Sequence, residues 1–208
     1  MYPPPWFRTH DRTRLLEAIR RYPFATILAV DDEGRVEVAQ APTLLDEEGR
    51  SLQFHLARNN AVARLLEEGR PAQLLFLGPD AYVSPTWYAE PHTNVPTWNY
   101  VTVLVRAPSA RPLDARELRE HLRRSAARFE AEAGSEDWSL DLLDDRDVAK
   151  ALPLIRGFEV RLEHLEGRFK LSQNRAPADR ERVRLRLAES ADSRARELAE
   201  WMEPGSFE

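Results

Sequence analysis

Between residues 24 and 77 short apolar runs alternate with tight turns, an arrangement that suits an antiparallel sheet or barrel. Phe24 to Val30 is apolar on both faces and reads as a buried strand. Asp31-Asp32-Glu33-Gly34 supplies a turn, and Arg35 to Leu45 returns as the partner of a hairpin. Glu47-Glu48-Gly49 makes a second turn before the strand Ser51 to Leu56. A short helix over about Asn60 to Glu68 then leads to the apolar strand Ala72 to Leu77. Upstream, Asp11 can cap a helix running to Tyr22, with Leu15, Ala18, Ile19 and Tyr22 on one face and Pro23 as its stop.

The middle of the chain reads as loop-rich and aromatic from Gly78 to Tyr88, and strand alternation returns from Val95 to Arg106. Val95, Thr97, Asn99, Val101, Val103 and Val105 share one face of that strand. Asp114 and Glu117 have the spacing of a capping box and open a long helix with apolar positions Leu118, Leu122, Ala126, Phe129 and Ala133. Leu154 to Leu165 reads as another strand, with Leu154, Phe158, Val160 and Leu162 inward. Ala178 to Met202 reads as one long charged helix whose seam is Val183, Leu187, Ala191, Ala195, Leu198 and Met202. The expected class is α+β: an antiparallel sheet with flanking helices and a long C-terminal helix. Residues 1–177 form the expected main domain, with inserted helices over about 114–152. Residues 178–208 pack on that domain or on a second subunit.

Several chemistries are excluded. Without cysteine the 208 residues offer no disulfide, thiolate zinc site or iron–sulfur cluster. No two glycines lie within two residues of each other, which removes both the dinucleotide fingerprint and the P-loop. His10, His55, His92, His121 and His164 are widely scattered, and no zinc-protease spacing occurs among them. The net charge of −5 gives no overall attraction to nucleic acid. No apolar run approaches the ~20 residues of a membrane helix, and the start lacks the pattern of a signal peptide, so the expected compartment is the cytoplasm.

Three groups of residues can carry a site. Arg58, with Asn59 and Asn60 where a helix begins, can fork onto a phosphate; the alternative is a surface salt bridge. His55, in the strand before it, is either a ligand contact or a hydrogen-bonded structural histidine. Trp87, Tyr88, Trp98 and Tyr100 can wall a flat ring or fill a core or an interface, and Thr97 and Asn99 alternate away from Trp98. Lys170, Ser172, Gln173, Asn174 and Arg175 set two cations, two amides and a hydroxyl within six positions, a donor set suited to a phosphate, a ribityl chain or flavin oxygens.

Four segments occur in the order found in one family. They are the proline-rich Met1-Tyr2 start, His55 through Asn60, Gly78 through Tyr88 with Val95 through Tyr100, and Lys170 through Arg175. Together, Ser-Pro-x-Trp-Tyr, Val-Pro-Thr-Trp-Asn-Tyr and Lys-Leu-Ser-Gln-Asn-Arg make the chain resemble the PaiB-type FMN-binding negative transcriptional regulators. The resemblance implies a split barrel related to pyridoxamine-phosphate oxidase, FMN as cofactor, and a homodimer with its sites at the subunit boundary. It assigns cofactor binding to His55, Arg58, Asn59, Asn60, Trp87, Trp98, Asn99, Lys170, Ser172, Gln173, Asn174 and Arg175. The chain departs from the family pattern at Gln40, where a histidine is usual, and at Ala61-Val62-Ala63, where Pro-x-Trp is usual. Any phosphate near Ala61 must be held by other donors. The leading expectation is a dimeric FMN-binding regulator without turnover of its own. The sequence shows no helix-turn-helix and no basic recognition helix, so DNA binding is expected to be weak or indirect. The alternatives are an FMN-dependent reductase or oxidase of a small substrate, and a split-barrel dimer that has lost its cofactor.

Overall fold

The computed structural model describes residues 5–135 and 137–203. The Met1-Tyr2 start and the end of the 178–208 segment beyond Glu203 lie outside the described residues. In chain order the regular elements begin with β1 (Arg8–Thr9), α1 (Arg12–Arg21), β2 (Phe24–Val30), β3 (Val36–Pro42), β4 (Leu44–Leu45) and β5 (Ser51–Ala57). They continue with α2 (Ala61–Glu67), β6 (Ala72–Val83), β7 (Thr97–Ala107), β8 (Arg111–Pro112) and α3 (Ala115–Ala133). The last are α4 (Asp145–Ala151), β9 (Ile155–Arg161), β10 (His164–Lys170), α5 (Pro177–Ala188) and α6 (Ser193–Trp201).

The chain divides into two compact units. The first comprises Met1–Tyr22, Phe76–Leu104 and Leu165–Glu208, and the second Pro23–Leu75 and Val105–His164. In the second unit β2 pairs antiparallel with β3 and with the start of β6, while β4, β5, β9 and β8 lie side by side in a separate sheet. The Asp31–Gly34 turn that joins β2 to β3 works as read: Asp31 accepts the backbone N–H groups of Glu33 and Arg35, and Gly34 takes the left-handed φ of 78°. Phe54 of β5 faces Phe158 of β9, their ring centroids 5.7 Å apart, and both are fully buried. Val62, Ala63 and Leu66 of α2 add to this core. Helix α3 starts at the capping box read from the sequence, with the Asp114 carboxylate accepting the Glu117 N–H at 2.8 Å.

The first unit carries the strands β1, β10 and β7 and the later part of β6. Helix α1 is capped by Asp11 and buries Leu15, Ala18 and Ile19, as the spacing requires. Gly167 of β10 pairs with Thr9 of β1, and a methyl group there would collide with Leu15 and Thr9. The C-terminal helices close this unit through Trp201, which is fully buried. Its indole N–H donates to the Tyr22 hydroxyl at 2.8 Å, that hydroxyl donates to Glu197 at 2.8 Å, and Phe169 meets the indole edge-on at 5.3 Å.

Five expectations need correction. The helix expected over Ala178 to Met202 is two helices, α5 and α6. Asp192 caps the second by accepting the Arg194 N–H, Ser190 accepts the Asp192 N–H, and Ala191 is exposed instead of belonging to the seam. The strand expected over Leu154 to Leu165 is likewise divided into β9 and β10, and Leu154 sits before it in a short turn, 68% exposed. The buried face of α3 is Leu118, His121 and Ser125, with Leu122, Ala126 and Phe129 half-buried. Strand β6 does not end at Leu77 but runs on to Val83, because Gly78 packs against Tyr22 and Val101 too closely to admit a side chain. Phe24 and Val30, at the two ends of β2, are exposed.

Since Trp201 is fully enclosed and bonded, Trp201→Ala should lower stability by about 3–5 kcal/mol. Trp201→Phe, which keeps a ring but leaves Tyr22 without its donor, should cost about 1–3 kcal/mol. Urea unfolding of the three proteins measures both; equal midpoints for wild type and Trp201→Ala would refute the anchoring role.

Candidate functional site

The residues singled out from the sequence fall into one group in each unit. In the first unit β10 delivers Lys170 at its last position, and Thr97 opens β7. The Lys170 ammonium donates to the Thr97 hydroxyl and lies 5.7 Å from the centre of the Phe7 ring. Partial burial, and then the nearby Arg175 guanidinium, push the Lys170 pKa below its ordinary value. Arg175 itself donates to the Asn94 side-chain oxygen at 2.7 Å and lies over the Tyr88 ring, 4.8 Å from its centre. Two cations therefore share one small region, half-buried, and no carboxylate bonds to either among the described residues.

Between them the chain turns sharply. Ser172 has the left-handed φ of 60°, unusual for a residue with a side chain. Asn99, fully buried on β7, donates to the Ser172 hydroxyl at 2.9 Å and holds that turn. The side-chain oxygen of Asn99 and the hydroxyl of Tyr88 are buried without hydrogen-bond partners among the described residues. Gln173 is consumed locally: its oxygen accepts the Leu171 N–H at 2.6 Å, and its amide donates to the Phe169 carbonyl. Asn174 is exposed. Trp98 is 54% exposed, with Tyr82 edge-on to it at 6.0 Å. Trp87 lies on a cleft beside α5, lined also by Arg182 and Arg186.

The second group lies at the end of β5. Arg58 and Asn59 are exposed, and the Arg58 guanidinium makes one long contact, 3.4 Å to the Pro153 carbonyl. Asn60 caps α2, its side chain accepting the Val62 N–H at 2.9 Å. The family departure at Ala61-Val62-Ala63 forms the first turn of that helix, with Val62 and Ala63 fully buried. Gln40 is exposed on β3. His55 faces away from these donors toward α3, where its Nδ1 lies 3.1 Å from Nε2 of His121. One ring donates and the other accepts, so the accepting ring is neutral. Sequence reading placed no role on His121, or on Asn94 and Phe7. Each meets its partner only through tertiary packing, and no local spacing marks them.

Comparison with known proteins follows the same lines. Residues 1–164 match the model of a family described as "Putative FMN-binding domain". The chain is 28% identical over 206 residues to "Protease synthase and sporulation protein PAI 2" of Bacillus subtilis, an alignment spanning 98% of this chain and 97% of that protein. Among solved structures, an FAD and heme binding protein from Mycobacterium smegmatis superposes with a TM-score of 0.63 at 17% identity, covering 83% of this chain and 78% of that one. The flavocytochrome Anf3 from Azotobacter vinelandii gives 0.57 at 16% identity, covering 79% and 69%. These likenesses show the fold, an α+β antiparallel split barrel.

The histidine pair sets a pH dependence of stability. Burial, then the charge His55 would carry, hold His121 down at about 4, and burial lowers His55 as well. The unfolded imidazoles titrate near 6.5. Between these values the unfolded chain binds more protons, so stability is full above about pH 6.5 and falls as pH drops toward about 4. Going from pH 7 to 4.5 should cost about 2–3 kcal/mol through His121. Urea midpoints for wild type and His121→Leu check this, and equal acid sensitivity in the two would show that His121 is not held neutral.

Proposed function

We propose, for a chain that belongs to the FMN-binding domain family matched over residues 1–164, that it is a flavin-binding regulatory protein of the PaiB type. The observation that carries this reading is Lys170. Its half-buried ammonium meets a hydroxyl, an aromatic ring and the field of Arg175, and an anion is what such an arrangement lacks. The donor set fits FMN, whose phosphate needs charge-assisted contacts and whose ring needs a flat apolar surface such as exposed Trp98. Lys170 and Arg175 would hold the phosphate end, with Thr97 orienting the ammonium and Asn99 fixing the turn through Ser172. In the second unit Arg58, with Asn59 beside it, is the alternative phosphate contact, since its guanidinium is exposed and weakly engaged. Bound FMN would supply a ring that accepts one or two electrons.

The regulatory reading includes a homodimer. In the second unit Phe24, Val30, Val36 and Val38 leave one face of the β2–β3 hairpin apolar and exposed, and a second copy is the proposed cover. The acidic balance of the chain favours an indirect effect on DNA over direct sequence recognition. The proposed compartment is the cytoplasm; among the described residues no helix is long and apolar enough to cross a membrane.

Two measurements test this. In FMN titrations Lys170→Ala or, for the alternative contact, Arg58→Ala should weaken binding about ten- to hundred-fold, the loss of one charge-assisted contact, with little change in apo-protein melting. Unchanged affinity in both variants would move the site elsewhere. Light scattering of the flavin-loaded protein should give twice the chain mass of 24.0 kDa, with no further rise on adding random duplex DNA at physiological salt. A mass of one chain would defeat the dimer, and a DNA-dependent rise would restore direct binding.

A further inference from the structure

In the first unit the turn carrying Thr86 and Trp87 faces helix α5 across an open cleft of about 540 Å³, within the range of small-molecule sites. Arg182, Leu185, Arg186 and Glu189 recur at three- and four-residue spacing, so one stripe of α5 forms this wall. The stripe is an unusual surface. Leu185 is 46% exposed, and Trp87, half-buried, stands in the opposite wall. Arg182 is engaged by Asp179 at 2.8 Å, whereas Arg186 has no hydrogen bond or ion pair among the described residues. Two guanidinium groups one turn apart repel each other, and a bound anion removes that cost.

We infer that this cleft binds a nucleotide: a flat base carrying at least one phosphate. The base has an indole on one side and a leucine side chain on the other, an apolar slot suited to a planar ring. The phosphate meets Arg182 and Arg186, whose planar forks match its oxygens. Glu189, at the same end of the stripe, accepts from a base amino group or a ribose hydroxyl. Neither part suffices alone. Exposed arginines hold free phosphate weakly against water, and a neutral ring leaves both cations unanswered. The cations of this cleft come from α5, whereas those proposed for FMN are Lys170 and Arg175; the two regions adjoin at Tyr88, which lines the cleft and lies beneath Arg175.

Calorimetric titration of the FMN-loaded protein with adenosine monophosphate, adenosine and inorganic phosphate tests the inference. Adenosine monophosphate should saturate with a Kd below about 1 mM, and the other two should bind at least about ten-fold more weakly. Arg186→Ala should weaken adenosine monophosphate about ten-fold or more, with FMN affinity and melting temperature unchanged, since Arg186 is exposed and unbonded. Trp87→Ala should weaken it to a similar degree. Absence of saturation, or unchanged affinity in Arg186→Ala, overturns the nucleotide site. Displacement of adenosine monophosphate by excess FMN overturns its separateness, because the flavin would then occupy this cleft. Loss of FMN binding in Lys170→Ala alone, with this cleft unaffected, leaves the two sites distinct.

Discussion

Enclosing the Trp201 indole is what ties the C-terminal helices to the rest of the first unit. The ring is reached from three directions: Tyr22 accepts its N–H, Phe169 of β10 packs edge-on, and Arg21 stacks over it at 5.5 Å. Phe169 points to this core, and in a strand the next residue points the other way. Lys170 is therefore directed out toward Thr97 and Phe7 by the same contact that buries its neighbour. A residue near the C-terminal end of the described chain thereby sets the direction of a cation some thirty positions earlier.

The region around Lys170 is built against the ordinary preferences of a folded chain. An ammonium is partly desolvated beside a second cation, and a serine is held in the left-handed backbone region. Asn99 stabilises the turn through one bond while its own oxygen has no partner among the described residues. Costs of this kind persist where the surrounding packing enforces them, and they cluster where ligands bind. The His55–His121 pair carries a similar cost inside the second unit. The two imidazoles bond each other at 3.1 Å, but His121 Nδ1 is buried without a partner among the described residues, and burial disfavours their charged forms.

What could be read from the sequence was whatever a few neighbouring residues decide. Asp11 before α1, Asp114 and Glu117 at α3, and Asp31 to Gly34 between β2 and β3 all specify their geometry through bonds spanning two to four residues. The misreadings share a different cause. Gly78-Pro79-Asp80 reads as a loop, yet β6 continues through it because Tyr22 and Val101 need the space a side chain would fill. Ser190 to Asp192 reads as part of one continuous helix with Ala191 in its seam, yet Ser190 and Asp192 bond the backbone and start a new helix. At the site, the density of donors from Lys170 to Arg175 was legible. Which of them are already committed was not: Gln173 to its own backbone, Asn60 to a helix cap and His55 to a residue 66 positions away.

The near-exclusive use of arginine gives the chain an unintended analytical property. Of its 30 basic residues only Lys150 and Lys170 carry a primary amine. Lys150 is exposed and paired with Asp147 on α4, and so keeps company with solvent. Lys170 is partly shielded and less basic than an ordinary lysine, so a larger share of it is in the nucleophilic free-amine form at neutral pH. Acylating reagents, which pass over guanidinium groups, therefore see two side chains in a molecule crowded with positive charge. The exposed lysine serves as the internal standard, and the extent of modification at the other reports on occupancy of the anion position without any engineered label.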